Sequence, residues 1–156
     1  MKIIDINLCF YEYNLLVSLI MTTREIHNYL VERGIKPFPH KVAIMRYLQE
    51  NHTHPTIDQI YNDLLPDLPT LSKTTVYNTL KLLCDKKAAV ALYIDEKNVR
   101  YDACLHTHAH FRCKTCDAIY EAPLEESEIP QCKSSEDLFI EETQIYYFGK
   151  CKECNS

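Results

Sequence analysis

The sequence predicts an α+β protein in which an N-terminal winged helix-turn-helix is followed by a small module rich in metal ligands. Three observations carry that prediction. Between Thr22 and Asp85 the apolar residues recur at helical spacing, in segments bounded by recognisable start and stop signals. Two stretches of alternating residues, Ala88 to Ile94 and Val99 to Asp102, flank the polar turn Asp95-Glu96-Lys97-Asn98 and read as a hairpin directly after the last helix. Beyond it, Asp102 to Glu121 holds His106, His108, His110, Cys113 and Cys116, and a second CxxC, Cys151 to Cys154, follows 34 intervening residues (117 to 150).

Each element has its own signal. Residues 1–21 are read as an extension, with Met21 as the working start; their longest clean apolar run, Leu15 to Met21, is too short to span a bilayer, and no small-residue cleavage site follows it. Thr22-x-x-Glu25 has capping-box spacing, Ile26, Tyr29 and Leu30 share a face, and Gly34 supplies a stop. A second helix starts after Pro39 with Val42, Met45 and Leu48 inward. Thr56-x-x-Gln59 opens a third, with Ile57, Ile60, Tyr61 and Leu64 on one side and Pro66 and Pro69 ending it. Ser72 caps the fourth, whose apolar face is Val76, Leu80 and Leu83 and whose opposite stripe is Lys73, Thr74, Tyr77, Asn78 and Lys81. Helices, a polar-faced helix and a hairpin in this order make a winged helix-turn-helix. In it the stripe would face a major groove, lysines on phosphates and Thr74, Tyr77 and Asn78 on base edges.

Bulk charge neither supports nor excludes a nucleic-acid partner. The net charge is −5, but residues 22–103 carry 11 Lys/Arg against 10 Asp/Glu, while 104–156 carry 5 against 10. Any DNA contact therefore depends on a local surface. The eight cysteines would suit a secreted disulfide scaffold, but their CxxC pairing reads as reduced, metal-binding thiols in a cytoplasm. Cys113, Cys116, Cys151 and Cys154 form a four-thiolate zinc site. His108 and His110 alternate onto one face of a strand, and imidazole with carboxylate ligands suits Fe²⁺, Mn²⁺ or Zn²⁺.

The segments His54-Pro-Thr, Ser72-Lys-Thr-Thr-Val-Tyr-Asn-Thr-Leu80, Arg100-Tyr-Asp, His108-Ala-His-Phe-Arg-Cys-Lys-Thr-Cys116 and Cys151-Lys-Glu-Cys154 together resemble the ferric uptake regulator family over residues 22–154. The resemblance implies a metal-dependent transcriptional repressor, a homodimer on a palindromic, AT-rich DNA operator. It also implies a winged-helix DNA-binding domain at 22–103 and a small α/β zinc-containing dimerisation domain at 104–156. Residue by residue it places the regulatory metal, Fe²⁺ or Mn²⁺, on His54, Asp102, His108, His110 and Glu121, and the structural zinc on the four knuckle cysteines. DNA contacts are expected from Lys36, Lys41, Ser72, Lys73, Thr74, Tyr77, Asn78 and Lys81.

Within the family, Asp102, Thr107 and Ala109 resemble the peroxide-sensing branch, whereas Glu121 resembles the iron-uptake regulators. The peroxide-responsive reading is preferred, with an iron sensor as the alternative. The chain departs from the family at Phe38-Pro39-His40-Lys41, and Pro130 with Lys133-Ser134-Ser135 shortens the helix expected across Pro123 to Asp137, which shifts dimer packing toward a strand from Phe139 to Tyr147. Two readings from other classes are a thiol redox enzyme, disfavoured by the second CxxC, and a zinc-stabilised protein adaptor that makes no DNA contact.

Overall fold

A computed structural model describes residues 21–105, 108–122, 124 and 139–155. The chain divides between Leu105 and His106 into two compact units. The first holds α1 (Thr23–Glu32), α2 (Pro39–Glu50), α3 (Ile57–Leu64), α4 (Lys73–Asp85), β1 (Val90–Leu92) and β2 (Arg100–Asp102). The second holds β3 (Ala109–Cys113), β4 (Ile119–Ala122), β5 (Ile145–Gly149) and a 3₁₀ turn, Lys152–Cys154. No helix among the described residues is long and apolar enough to cross a membrane.

In the first unit the local signals decide the boundaries. Thr22 and Thr56 each close a capping box, with Glu25 and Gln59, and so satisfy backbone donors that open the helix. Gly34 takes φ +71° after α1, where its lack of a Cβ removes the steric cost of a left-handed residue. The helices then bury one side each: Ile26 and Leu30 from α1, Ile44, Met45 and Leu48 from α2, Ile60 from α3, and Val76, Leu80 and Leu83 from α4. Val42, expected inside, is only half-buried, and Ile44 takes the deeper place. The hairpin is antiparallel with Val90 opposite Asp102, and its strands are shorter than the alternation suggested.

In the second unit β3 is central, antiparallel to β4 and parallel to β5. The strand expected from Phe139 is Ile145–Gly149. Its first residue lies opposite Ala109, the first residue of β3, so the ladder begins where the partner strand begins. At Gly149 an added Cβ would lie 3.0 Å from the Phe111 ring, which is why the last residue of β5 has no side chain. The helix expected across Pro123 to Asp137 lies, apart from Leu124, outside the described residues.

Leu80 is fully buried at the centre of the first unit. Leu80→Ala should lower that unit's unfolding free energy by about 2–5 kcal/mol. A urea midpoint unchanged from wild type would show that α4 does not nail the helices together.

Candidate functional site

The thiolate cluster is a product of the parallel pairing. Cys113 ends β3 opposite Gly149, the end of β5, so the segment leaving β5 delivers Cys151 to the place where β3 delivers Cys113. The first knuckle then turns back at Asp117, φ +59°, with the Asp117 amide donating to the Cys113 carbonyl at 3.0 Å and the Cys113 amide to the Ala118 carbonyl at 2.9 Å. Arg112 holds the Asp117 carboxylate at 2.8 Å. Cys154 arrives on the 3₁₀ turn. All four sulfurs lie within 4.8 Å of one another, and Cys116 Sγ is 3.8 Å from Cys151 Sγ. A tetrahedral zinc with Zn–S bonds of about 2.3 Å places its sulfurs about 3.8 Å apart, so the cluster has the size of a closed zinc site.

Its electrostatics call for a cation. The Cys151 and Thr115 amides donate to Cys113 Sγ at 3.3 and 3.4 Å. The Cys151 amide foremost, followed by that of Cys116, brings the Cys113 thiol down to about 6. Cys154 is pushed up to about 12 by the sulfurs of Cys151 and Cys116, since a further thiolate among sulfurs is unfavourable without a positive charge between them.

The expected regulatory ligands fall in both units, and each unit builds its own part. In the second, His108 Nε2 and His110 Nε2 are 3.1 Å apart. Two imidazoles on neighbouring positions of one ion, with metal–nitrogen bonds of about 2.1 Å, are separated by roughly 3 Å at a right angle. Glu121 on β4 stands opposite His110 in the ladder and so on the same face. In the first unit His54 Nε2 is 3.8 Å from Asp102 Oδ2, both side chains being buried. His54 has φ +51°, a left-handed conformation unusual for a side chain with a Cβ and more so before Pro55. Arg100 holds it there: Nη1 donates to the His54 carbonyl at 3.2 Å, while Nε and Nη2 grip Asp95 at 3.2 and 3.1 Å. The Tyr101 amide adds a bond to the Pro55 carbonyl at 3.1 Å.

Sequence reasoning passed over this clamp. Arg100 stood inside the quoted Arg100-Tyr-Asp segment, but the role of its guanidinium between the wing and the His54 loop depends on contacts 5 and 46 residues away.

On α4, Lys73, Thr74, Tyr77, Asn78 and Lys81 are all exposed, and Tyr77 keeps half its surface. Ser72 is engaged as the cap, accepting from the Thr75 amide at 3.1 Å. Lys73 Nζ lies 2.8 Å from Asp58 on α3, so part of its charge is answered within the protein. Lys36 is exposed in the loop before α2, and Lys41 sits in the first turn of α2 with Nζ 5.2 Å from the Phe38 ring centroid.

The model of the Ferric uptake regulator family matches residues 32–148. The chain belongs to the ferric uptake regulator family. It is 36% identical over 129 residues to the peroxide-responsive repressor PerR of Staphylococcus aureus, across 80% of this chain and 86% of that protein. In fold it resembles the Helicobacter pylori ferric uptake regulator, TM-score 0.68 at 20% identity over 88% of this chain and 96% of that one. It also resembles the Campylobacter jejuni peroxide stress regulator, TM-score 0.59 at 20% identity over 86% and 99%. The family member is a metal-dependent transcriptional regulator and not an enzyme.

Cys154→Ser removes one corner of the tetrahedron. Zinc in such sites contributes on the order of 10 kcal/mol of apparent folding free energy, so the variant should lose its zinc and the cooperative unfolding of the β3–β5 sheet. Retention of wild-type zinc by elemental analysis would refute the four-thiolate assignment.

Proposed function

We propose that this chain is a cytoplasmic, homodimeric repressor that reads a palindromic, AT-rich operator through α4 and lets it go when peroxide reaches an iron-loaded regulatory site. The observation that carries the reading is the division of α4. Val76, Leu80 and Leu83 are fully buried, while Thr74, Tyr77, Asn78 and Lys81 lie open on the opposite side. A helix so anchored can enter a major groove without moving its core, with Lys81 neutralising a phosphate and Thr74, Tyr77 and Asn78 turned to base edges or thymine methyls. Lys36 in the loop before α2, Lys41 in its first turn, and Ser72 with Lys73 at the start of α4, position the duplex. Cytoplasmic residence is favoured by the reduced thiols that a zinc knuckle requires.

In this reading Cys113, Cys116, Cys151 and Cys154 hold a structural zinc, and His54, Asp102, His108, His110 and Glu121 hold Fe²⁺ or Mn²⁺. Such an ion, bound, supplies a bridge between ligands of the two units, and with iron a reductant for peroxide. The chain's own residues do the rest. His54 and Asp102 belong to the DNA-reading unit, one on the loop clamped by Arg100 and the other on β2, so a ligand drawing on both is tied to the wing. His108, His110 and Glu121 lie on one face of the second unit's sheet. Fixing the angle between the units would fix the spacing of two reading helices in a dimer, which is what a palindrome selects. The peroxide reading is supported by the 36% identity to the Staphylococcus aureus repressor.

A second reading, a plain iron sensor, is favoured by one residue. Glu121 carries a methylene more than aspartate and, opposite His110, has the reach to bind an ion through both oxygens and close the position that peroxide would need.

Tyr77→Ala should weaken specific operator binding by about 1–3 kcal/mol while leaving non-specific DNA binding unchanged. Lys81→Ala should weaken all sequences alike and reduce the salt slope by about one, and Lys73→Ala should do less because Asp58 already shares its charge. Fluorescence anisotropy on operator and scrambled duplexes over a salt series separates these outcomes. Low peroxide should abolish operator binding by the Fe²⁺ form but not the Mn²⁺ form, with added oxygen on a peptide containing His54 or His108 and His110. Equal resistance of the two forms would decide for the iron sensor.

A further inference from the structure

We propose that Tyr146 is a positioning residue for the His108–His110 imidazole pair, tied in place by Gln144 and Glu142. The proposal rests on the metal-binding reading of those imidazoles. Because β3 is the central strand, the ladder puts Glu121 of β4 and Tyr146 of β5 opposite the same residue, His110, so that the three form one row across the sheet. The Tyr146 and His110 rings meet at 6.2 Å between centroids and 59° between planes, and the His108 and His110 rings at 4.4 Å and 51°. Tilted contacts of this kind restrict how an aromatic ring turns. That matters here because an imidazole rotates through a broad χ2 well, and a buried histidine can present Nε2 to an ion only if that rotation is limited.

Tyr146 would itself be free to swing unless something held its hydroxyl. That hydroxyl donates to Gln144 Oε1, and Gln144 Nε2 donates to Glu142 Oε1. Residues 142, 144 and 146 alternate along the approach to and entry into β5, so the three polar groups line up as a strut. Its outer end is the exposed carboxylate of Glu142 and its inner end is the buried His110. Removing a group that orients a metal-binding histidine by hydrogen bonding weakens metal affinity by roughly 10–100-fold, and a ring that limits the imidazole's rotation acts to the same end at the lower part of that range.

The test uses the full-length, zinc-loaded chain and two readouts. One is Mn²⁺ affinity by competition with a chelating dye; the other is the ¹⁵N–¹H imidazole signals of His108 and His110 before Mn²⁺ is added. Y146A is expected to weaken Mn²⁺ binding by about tenfold and to shift or broaden the His110 signals. Y146F keeps the ring and loses the hydroxyl's tie to Gln144, so it should fall between Y146A and wild type, as should Q144A. Wild-type Mn²⁺ affinity in Y146A overturns the proposal, and so does weakened affinity with unchanged His110 signals. If Y146A loses its zinc, Y146F and Q144A decide: unchanged His110 signals in both overturn the proposal, and shifted signals support it. The imidazole signals need neither Mn²⁺ nor DNA, so a wild-type chain that fails to bind Mn²⁺ would sink the functional reading while they still answer for Tyr146.

Discussion

The parallel pairing of β3 with β5 is the constraint on which the second unit depends, because it brings together residues that are far apart in the chain. Cys113 stands opposite Gly149, and the segment beyond carries Cys151 and Cys154 to Cys113 and Cys116. The same ladder, three residues earlier on β3, sets His110 opposite Tyr146. Parallel pairs are slightly less stable per residue than antiparallel ones and need a long connection between the strands. A metal clip across the strand ends offsets that weakness, and strand and clip therefore support each other. Two sites of different chemistry, a closed thiolate tetrahedron and an imidazole pair, are thus coupled through one short ladder.

In the first unit the corresponding part is Arg100. Its guanidinium joins Asp95, where the hairpin's turn begins, to the carbonyl of His54, while its own strand continues directly into Asp102. A left-handed backbone at His54 costs of order 1–3 kcal/mol, and it persists only where neighbouring bonds over-determine it. Here the Arg100 guanidinium, the Tyr101 amide and the Thr56 cap meet that condition. The His54 loop and the hairpin are therefore tied together through one side chain. That tie lies outside the helical core, where Ile26, Leu30, Val76, Leu80 and Leu83 are fully buried.

A net charge of −5 is compatible with DNA binding because a local surface can make the contact. The exposed stripe of α4 carries no acid before Asp85, and the acidity is concentrated beyond residue 104, in the unit with the four knuckle cysteines. Asp58 on α3 pairs with Lys73 at the start of that stripe. Under the proposed reading, that pairing would moderate the unspecific, salt-sensitive share of affinity and leave more of the discrimination to Thr74, Tyr77 and Asn78.

Much of this was legible in the sequence because the signals are local. Capping boxes at Thr22 and Thr56, the glycine stop at Gly34 and the two-sided pattern of α4 each act over a few residues, so they survive whatever the rest of the chain does. The paired CxxC spacing likewise announced a four-thiolate site without any knowledge of topology, since two knuckles need only be brought together to close a tetrahedron. By itself, then, the sequence determined the winged helix, the two-sided pattern of α4 and the four cysteines that converge. Tertiary structure decided what depends on register and on distant partners: that β5 starts at Ile145 and not Phe139, that Ile44 and not Val42 lies deepest, that Arg100 clamps His54 in a left-handed turn, and that Tyr146 lies beside His110. A ladder's register is set by pairing between strands, and a clamp by a side chain reaching across 46 positions. No local pattern of residues encodes either, because the free energy that selects them is released only when the distant partners meet.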